Sequence, residues 1–371
     1  MGQGSVTVNN LNLAQGAFDE VERKALFIGE GETNVGQVLS INAQSDLDTL
    51  LGEPDSEIKR NVAAAQANGG ENWLCYAAPQ NTGYDWESVV DGAMETISPE
   101  LIVLCTPATV AADLEAMQTK AEALRTGLAR RVIILTATPG IDPTPSTGET
   151  WSVYESAQAA ITSDVAAYRV GAVPQLHGND LGAVAGRLCN RAVSIADSPM
   201  RVATGTVLGL GDAPLDMDGE PLSNATLSTL DSNRLSCIQR YVDYPGTYWG
   251  DLNLLDVPAG DYQVIENLRV IDKIARAVRV LAIARVANRS FNSTPVSIAA
   301  NKTYFTRPMR EMSHSTTFAG EHFPGEIRPP ADDAITILWP TITSVEIYIK
   351  AQPFNSPKDI TANILLDLSG E

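Results

Sequence analysis

Apolar residues along this chain follow two different periods, and the switches between them mark out its elements. Residues 101–104 (Leu-Ile-Val-Leu) and 132–135 (Val-Ile-Ile-Leu) are continuous apolar runs of strand length, as expected for strands covered on both faces. Between them, Val110, Leu114, Met117, Ala121 and Leu124 recur at helical spacing over 109–129, with Thr109 placed to cap. Strand, helix, strand in that order predicts a βαβ unit with parallel, buried strands. The run 25–28, closed by Gly29-Glu30-Gly31, predicts a further core strand and turn. A helix is expected over 151–168 and a strand over 168–173.

From residue 203 the texture changes to Gly, Pro, Asp, Asn and Thr, with turns marked at 209–214 and 216–220, and short strands are expected there. A long helical stretch follows over 262–288, then a second helix over 297–313. Alternation returns at Val345, Ile347 and Ile349, and again at Ile360, Ala362, Ile364, Leu366 and Leu368. The first residues alternate likewise, Val6 and Val8 with Thr7 and Asn9, then Leu11 and Leu13 with Asn12. Both ends therefore read as strands with no hairpin partner nearby, although their backbone groups need one. The expected fold class is mixed α/β. The expected division is an extended arm over 1–16, an α/β domain over 17–200, a second domain over 201–350 and a closing arm over 351–371.

Charge narrows the function. Lys and Arg number 26 against 45 Asp and Glu, a net charge of −19, which repels phosphate backbones and anionic headgroups and argues against nucleic acid as a partner. Only 19% of the 371 residues are charged, below the roughly 25% usual for soluble domains, which hints at surface covered by a partner. No stretch approaches the roughly 18 apolar residues of a membrane span, so direct membrane insertion is not expected. The first residues lack the basic and apolar regions of a secretion signal, so a product of the cytoplasm is expected. The four cysteines, Cys75, Cys105, Cys189 and Cys237, form no CxxC and read as reduced, buried thiols.

Candidate chemistry mostly fails. In Gly29-Glu30-Gly31 the third glycine of a dinucleotide turn would fall on Asn34, and Glu30 and Glu32 carry the wrong charge for phosphate. Asp216-Met217-Asp218-Gly219-Glu220 resembles part of a calcium loop without its remaining ligands. The three histidines, His177, His314 and His322, have no zinc spacing, and no nucleophile elbow precedes a helix. No catalytic residue, cofactor or metal is expected.

One charged feature stands out. Across 269–289 six basic residues, Arg269, Lys273, Arg276, Arg279, Arg285 and Arg289, meet a single acid, Asp272. On a helix Arg269, Lys273 and Arg276 fall within roughly 60° of one another and Arg279 roughly 60° further, opposite Val270, Ile271, Ile274, Val278 and Leu281. This stripe is either a solvated face with a few internal ion pairs or a docking face for an acidic protein.

Three stretches, in order, resemble the contractile tail sheath proteins of bacteriophages and R-type bacteriocin particles. They are Gly182-Ala183-Val184-Ala185-Gly186-Arg187; 237–241 through Gly246-Thr247-Tyr248-Trp249-Gly250; and the helix start 261–274 with Tyr262, Ile265, Arg269, Asp272 and Ile274. The sequence departs where many sheaths read Arg-Thr after Trp-Gly, having Asp251-Leu252 instead, and where Pro174-Gln175-Leu176-His177-Gly178 replaces Pro-Pro-Ser-Gly. The resemblance implies a structural, non-enzymatic homo-oligomer that stacks as hexameric rings into a helical sheath around a tail tube. It also implies baseplate and tail terminator proteins as partners, and a place in the virion tail after assembly in the host cytoplasm. The arms, with Val6, Val8, Ile360, Ala362, Ile364, Leu366 and Leu368, would add strands to neighbouring subunits, and Arg269, Lys273, Arg276 and Arg279 would face the tube. Contraction would drive the tube through the host envelope. Other readings are a non-contractile virion or baseplate protein, and a nucleotide- or metal-binding α/β enzyme using Gly29–Gly31 or the Asp216–Glu220 turn.

Overall fold

The computed structural model describes residues 21–318 and 320–362. Val6, Val8, Ile364, Leu366 and Leu368 lie outside them.

The continuous apolar runs form the centre of a six-stranded sheet, in the order β2-β3-β1-β4-β5-β6. Its strands are β1 (Ala25–Glu30), β2 (Leu39–Asn42), β3 (Leu74–Gln80), β4 (Leu101–Leu104), β5 (Ile133–Thr138) and β6 (Val170–Pro174). All neighbours pair in parallel except the edge strand β2, which runs antiparallel to β3. Helices cover both faces of a sheet of this kind, so β4, β5 and β6 are buried at every position. The connecting helices are α1 (Leu47–Leu51), α2 (Glu57–Asn68), α3 (Trp86–Met94), α4 (Ala111–Gly127), α5 (Trp151–Thr162) and α6 (Asp180–Cys189). The expected βαβ unit is β4-α4-β5, parallel in register Leu101 to Ile133.

The Gly182–Gly186 motif has a packing cause. Its glycines lie one turn apart on α6, where a Cβ on Gly182 would fall 2.0 Å from the Asn61 carbonyl oxygen and one on Gly186 2.4 Å from that of Ala65, both in α2. The two helix backbones touch at these points, and the Asn61 side chain fixes the approach by accepting the Gly182 N–H (2.8 Å).

The helix expected over 151–168 ends at Thr162, because the chain must turn to let the Ala167 N–H reach the Leu255 carbonyl (2.6 Å) before β6. After residue 200 the strands are fewer than expected: a short helix, α7 (Asn224–Ser232), capped by Ser223, precedes the hairpin β7 (Ile238–Tyr241) and β8 (Tyr244–Trp249). Leu222, Leu230, Leu235, Trp249 and Leu255 of this segment are all buried in the same core as the sheet. The division in packing therefore falls not at 200 but within the next helix, α8 (Ile265–Ile283).

Ile265 and Leu268 of α8 close the first core, while Val270, Ile274 and Val278 enter a second. That second core is completed by α9 (Pro295–Met312), through Phe305 and Met309, and by β11 (Ile335–Thr341), through Ile335 and Ile337. Two small antiparallel pairs belong to this end: β9 (Thr316–Phe318) with β10 (Glu321–Phe323), and β11 with β12 (Ser344–Ile349). The chain after β12 does not form the expected strand as far as it is described. Ile360 and Ala362 lie in irregular, exposed backbone.

Candidate assembly surfaces

Helix α8 carries the expected cationic stripe, but most of that stripe faces the protein's own interior. Arg269 is 2% exposed. Its Nε and Nη2 each donate to Glu100, at 2.8 Å to Oε1 and 2.8 Å to Oε2, and Nη2 also reaches the Leu188 carbonyl. Burial alone would favour the neutral Glu100 carboxyl, yet the attraction of Arg269 outweighs it and holds the group below the ordinary glutamate range. Asp272, the lone acid of the stripe, accepts two bonds from Arg169 (2.8 and 3.0 Å) and one from Arg131 (3.1 Å). Glu100, Arg131 and Arg169 stand just before β4, β5 and β6, so the polar side of α8 lies across the amino ends of the parallel strands.

Lys273 donates to both carboxylate oxygens of Glu326 at 2.7 Å, and Arg276 donates to Glu22 through Nε (3.1 Å) and Nη2. The exposed docking face expected of these residues is thus corrected for Arg269, Lys273 and Arg276, whose charges are taken up within the subunit. Arg279 is exposed. Asp272, one acid amid cations on the same face, meets further cations from elements roughly 100 and 140 residues earlier in sequence.

The β11–β12 hairpin is organised in the opposite way. Ile335 and Ile337 bury one face, whereas Leu338 is 49% and Tyr348 55% exposed, and Ile342 at the turn is 95% exposed. Among the described residues neither outer edge of this two-stranded sheet pairs with another strand. Two strands alone are marginal in water, and their free edges present unpaired N–H and C=O groups to an incoming strand.

The sites weighed for enzymatic chemistry are also accounted for. The Gly29–Gly31 turn sits at the carboxyl end of β1, beside a cavity of about 200 Å³ lined by Glu30, Tyr84, Trp86, Thr106 and Asp113. Its lining includes Glu30 and Asp113, and burial together with Glu30 pushes the nearby Glu57 carboxyl up. In the 216–220 turn the Asp216 carboxylate is occupied by the N–H groups of Asp218 (3.0 Å) and Glu220 (2.9 Å). His177 contacts Asp180 at the start of α6 (2.8 Å).

Comparison with known proteins gives a consistent picture. Residues 3–253 match the family described as DUF2586, N-terminal domain, and residues 261–369 match DUF2586, C-terminal domain. A curated protein of Haemophilus phage HP1 (strain HP1c1), named "Putative tail sheath protein", is 47% identical over 368 residues, covering 98% of each chain. Among solved structures, the sheath complex of the extracellular contractile injection system PVC in its contracted state is similar, with a TM-score of 0.59 at 14% identity over 99% of this chain and 98% of that one. The anti-feeding prophage baseplate, 6-fold symmetrised, gives 0.60 at 12% identity over 98% and 100%. The sheath tail protein from Listeria innocua gives 0.57 at 9% identity over 91% and 93%.

Proposed function

We propose, from the premise that the chain belongs to the DUF2586 family and is a tail sheath subunit of a phage virion, that it polymerises by strand exchange into a contractile tube of stacked hexameric rings. The observation that carries this reading is the β11–β12 hairpin, open at both edges among the described residues, with Leu338, Ile342 and Tyr348 exposed. The alternating segments at the two ends of the sequence, around Val6 and Val8 and around Ile364, Leu366 and Leu368, have the period to complete it in neighbouring copies. Added strands contribute main-chain hydrogen bonds, and the alternation fixes register. The six-fold symmetry applied to a similar baseplate structure supports rings of six.

Contact with a tail tube falls to the exterior of α8 and α9. Residues 273–313 hold eight basic residues and one acid, and Arg279, Arg289, Arg307 and Arg310 are exposed there. An acidic tube surface suits them. Exposed ion pairs contribute only about 0–1 kcal/mol each, weak enough to release when the sheath slides while strand links persist. Contraction on this reading draws on energy stored in the lattice at assembly, with no catalytic step, and baseplate and terminator proteins bound the polymer at its two ends.

The direct test is negative-stain electron microscopy of the purified chain beside a variant lacking residues 363–371. Full-length protein should form hollow tubes or stacked rings, and the truncated one should remain folded small particles. Long tubes from the truncated protein would remove strand exchange from the account.

A further inference from the structure

Both ends of the described chain close onto the same helix. At the front, Glu22 is buried against Arg276, and the backbone N–H of Arg23 donates to Glu100 Oε2 (2.7 Å), the carboxylate that Arg269 holds. At the back, Lys358 Nζ lies 2.6 Å from Glu266 Oε1 and 2.6 Å from Asp251 Oδ2. Glu266, Arg269 and Arg276 all belong to α8 and span about 15 Å of its length.

The back contact is not incidental to a packed segment. Pro353 makes the last bridge of the described chain, to Ile327. Of the residues described after it, 354–362, every one is exposed except Lys358. Apart from the Phe354 ring, over which the Arg328 guanidinium lies at 5.9 Å, Lys358 is the contact that holds this stretch down among the described residues. Its receptor is built for a cation: Glu266 is 6% exposed, and its Oε2 is buried without a hydrogen-bond partner. Asp251, the first residue after Trp249-Gly250, accepts from the Lys358 ammonium through both Oδ1 (2.8 Å) and Oδ2 (2.6 Å). The clip is thus a property of this chain's own residues. Two carboxylates share one ammonium, so they hold it firmly charged even though burial opposes its charge.

We infer that Glu22 and Lys358 are positioning residues, which clip the two linking segments to α8 and set the direction in which each leaves the subunit. The consequence for assembly rests on the strand-exchange reading; the geometry does not. A strand ladder that breaks can re-form one residue out of register, whereas an ion pair re-forms between the same two side chains. The clips therefore return each linking segment to the same place on α8. Tension on either arm is delivered to one helix.

The test is the distance between nitroxide labels on the full-length chain in solution, at Ala284→Cys and Ala362→Cys, measured by pulsed electron resonance. The four native cysteines are buried and do not compete for the reagent. The wild-type background and Lys358→Arg should give one narrow distribution, and Lys358→Met a distribution broader on the order of twofold. Equal widths in the wild-type background and Lys358→Met, narrow or broad, would overturn the clip. Tubes assembled from the double variant Glu22→Gln/Lys358→Met should come apart at lower guanidinium concentration than wild-type tubes; equal resistance would show that the clips position nothing. If instead chains lacking 363–371 still assemble, strand exchange fails while the label distances stand.

Discussion

The α8 seam and the β11–β12 hairpin invert the usual arrangement of a soluble protein in opposite ways. The seam buries charge: Glu266, Arg269 and Asp272 are all inside. The hairpin exposes carbon: Leu338, Ile342 and Tyr348 are all outside. Buried charge is tolerated where every ion finds hydrogen-bonding partners, and such sites fix geometry more than they stabilise it. Exposed apolar surface at an open sheet edge serves a monomer poorly but suits a subunit. A charged seam is thus a joint made within one chain, and on the strand-exchange reading the open edge is a joint left for the next.

The largest effect should come from breaking the seam on one side. Arg269→Met leaves Glu100 buried without its ion-pair partner, at a cost of about 3–5 kcal/mol, a large share of the roughly 5–15 kcal/mol that holds a domain folded. Urea denaturation of the isolated subunit checks this, and a midpoint equal to wild type would mean that the seam is not a load of buried charge. Gly186→Val, which drives a side chain into the Ala65 carbonyl of α2, should cost about 1–3 kcal/mol by the same measurement.

Acidity should act more gently on the seam. Glu100 titrates below the ordinary glutamate value of 4.5 in the folded protein. Its contribution is therefore complete above pH 4.5 and is lost as pH falls through the lower, folded value. Glu266 runs the other way: burial pushes its carboxyl above 4.5, although Lys358 opposes the shift. Its contribution is present below 4.5 and is lost as pH rises through the folded value. Thermal melts between pH 3 and 7 should show a steeper acid limb for wild type than for Glu100→Gln. The smallest change in subunit stability, within about 0.5 kcal/mol, is expected for Ile342→Asp and Arg279→Glu. The first should nevertheless block tube formation in sedimentation, and the second should weaken retention on an acidic tail tube. If Ile342→Asp assembles normally, the hairpin tip is not part of the joint.

These contrasts also show what the sequence could reveal. The β4-α4-β5 unit was legible because each element imposes its own period on apolar residues over a short span. Gly182 and Gly186 were visible as a motif, and only the contact with Asn61 and Ala65 explains it. The seam was not legible as a seam. A helical wheel shows that Arg269, Lys273 and Arg276 share a face, but it cannot say whether that face meets water or Glu100, Glu326 and Glu22, which lie from 53 to 254 residues away in sequence. The hairpin was half visible: Val345, Ile347 and Ile349 alternate clearly, whereas its partner β11 is interrupted by an irregular register between Leu338 and Thr341.

Helix α8 contains neither glycine nor proline from Ile265 to Ile283, and it runs unbroken from one hydrophobic core into the other. A continuous rod of this kind has no hinge of its own. The helix therefore links the two cores along one axis, and on the proposed sheath reading the freedom for a large change of shape is left to the contacts between subunits. On the sheath reading proposed above, a lattice of such bodies would change length as a linkage of stiff bars does, by turning at its joints.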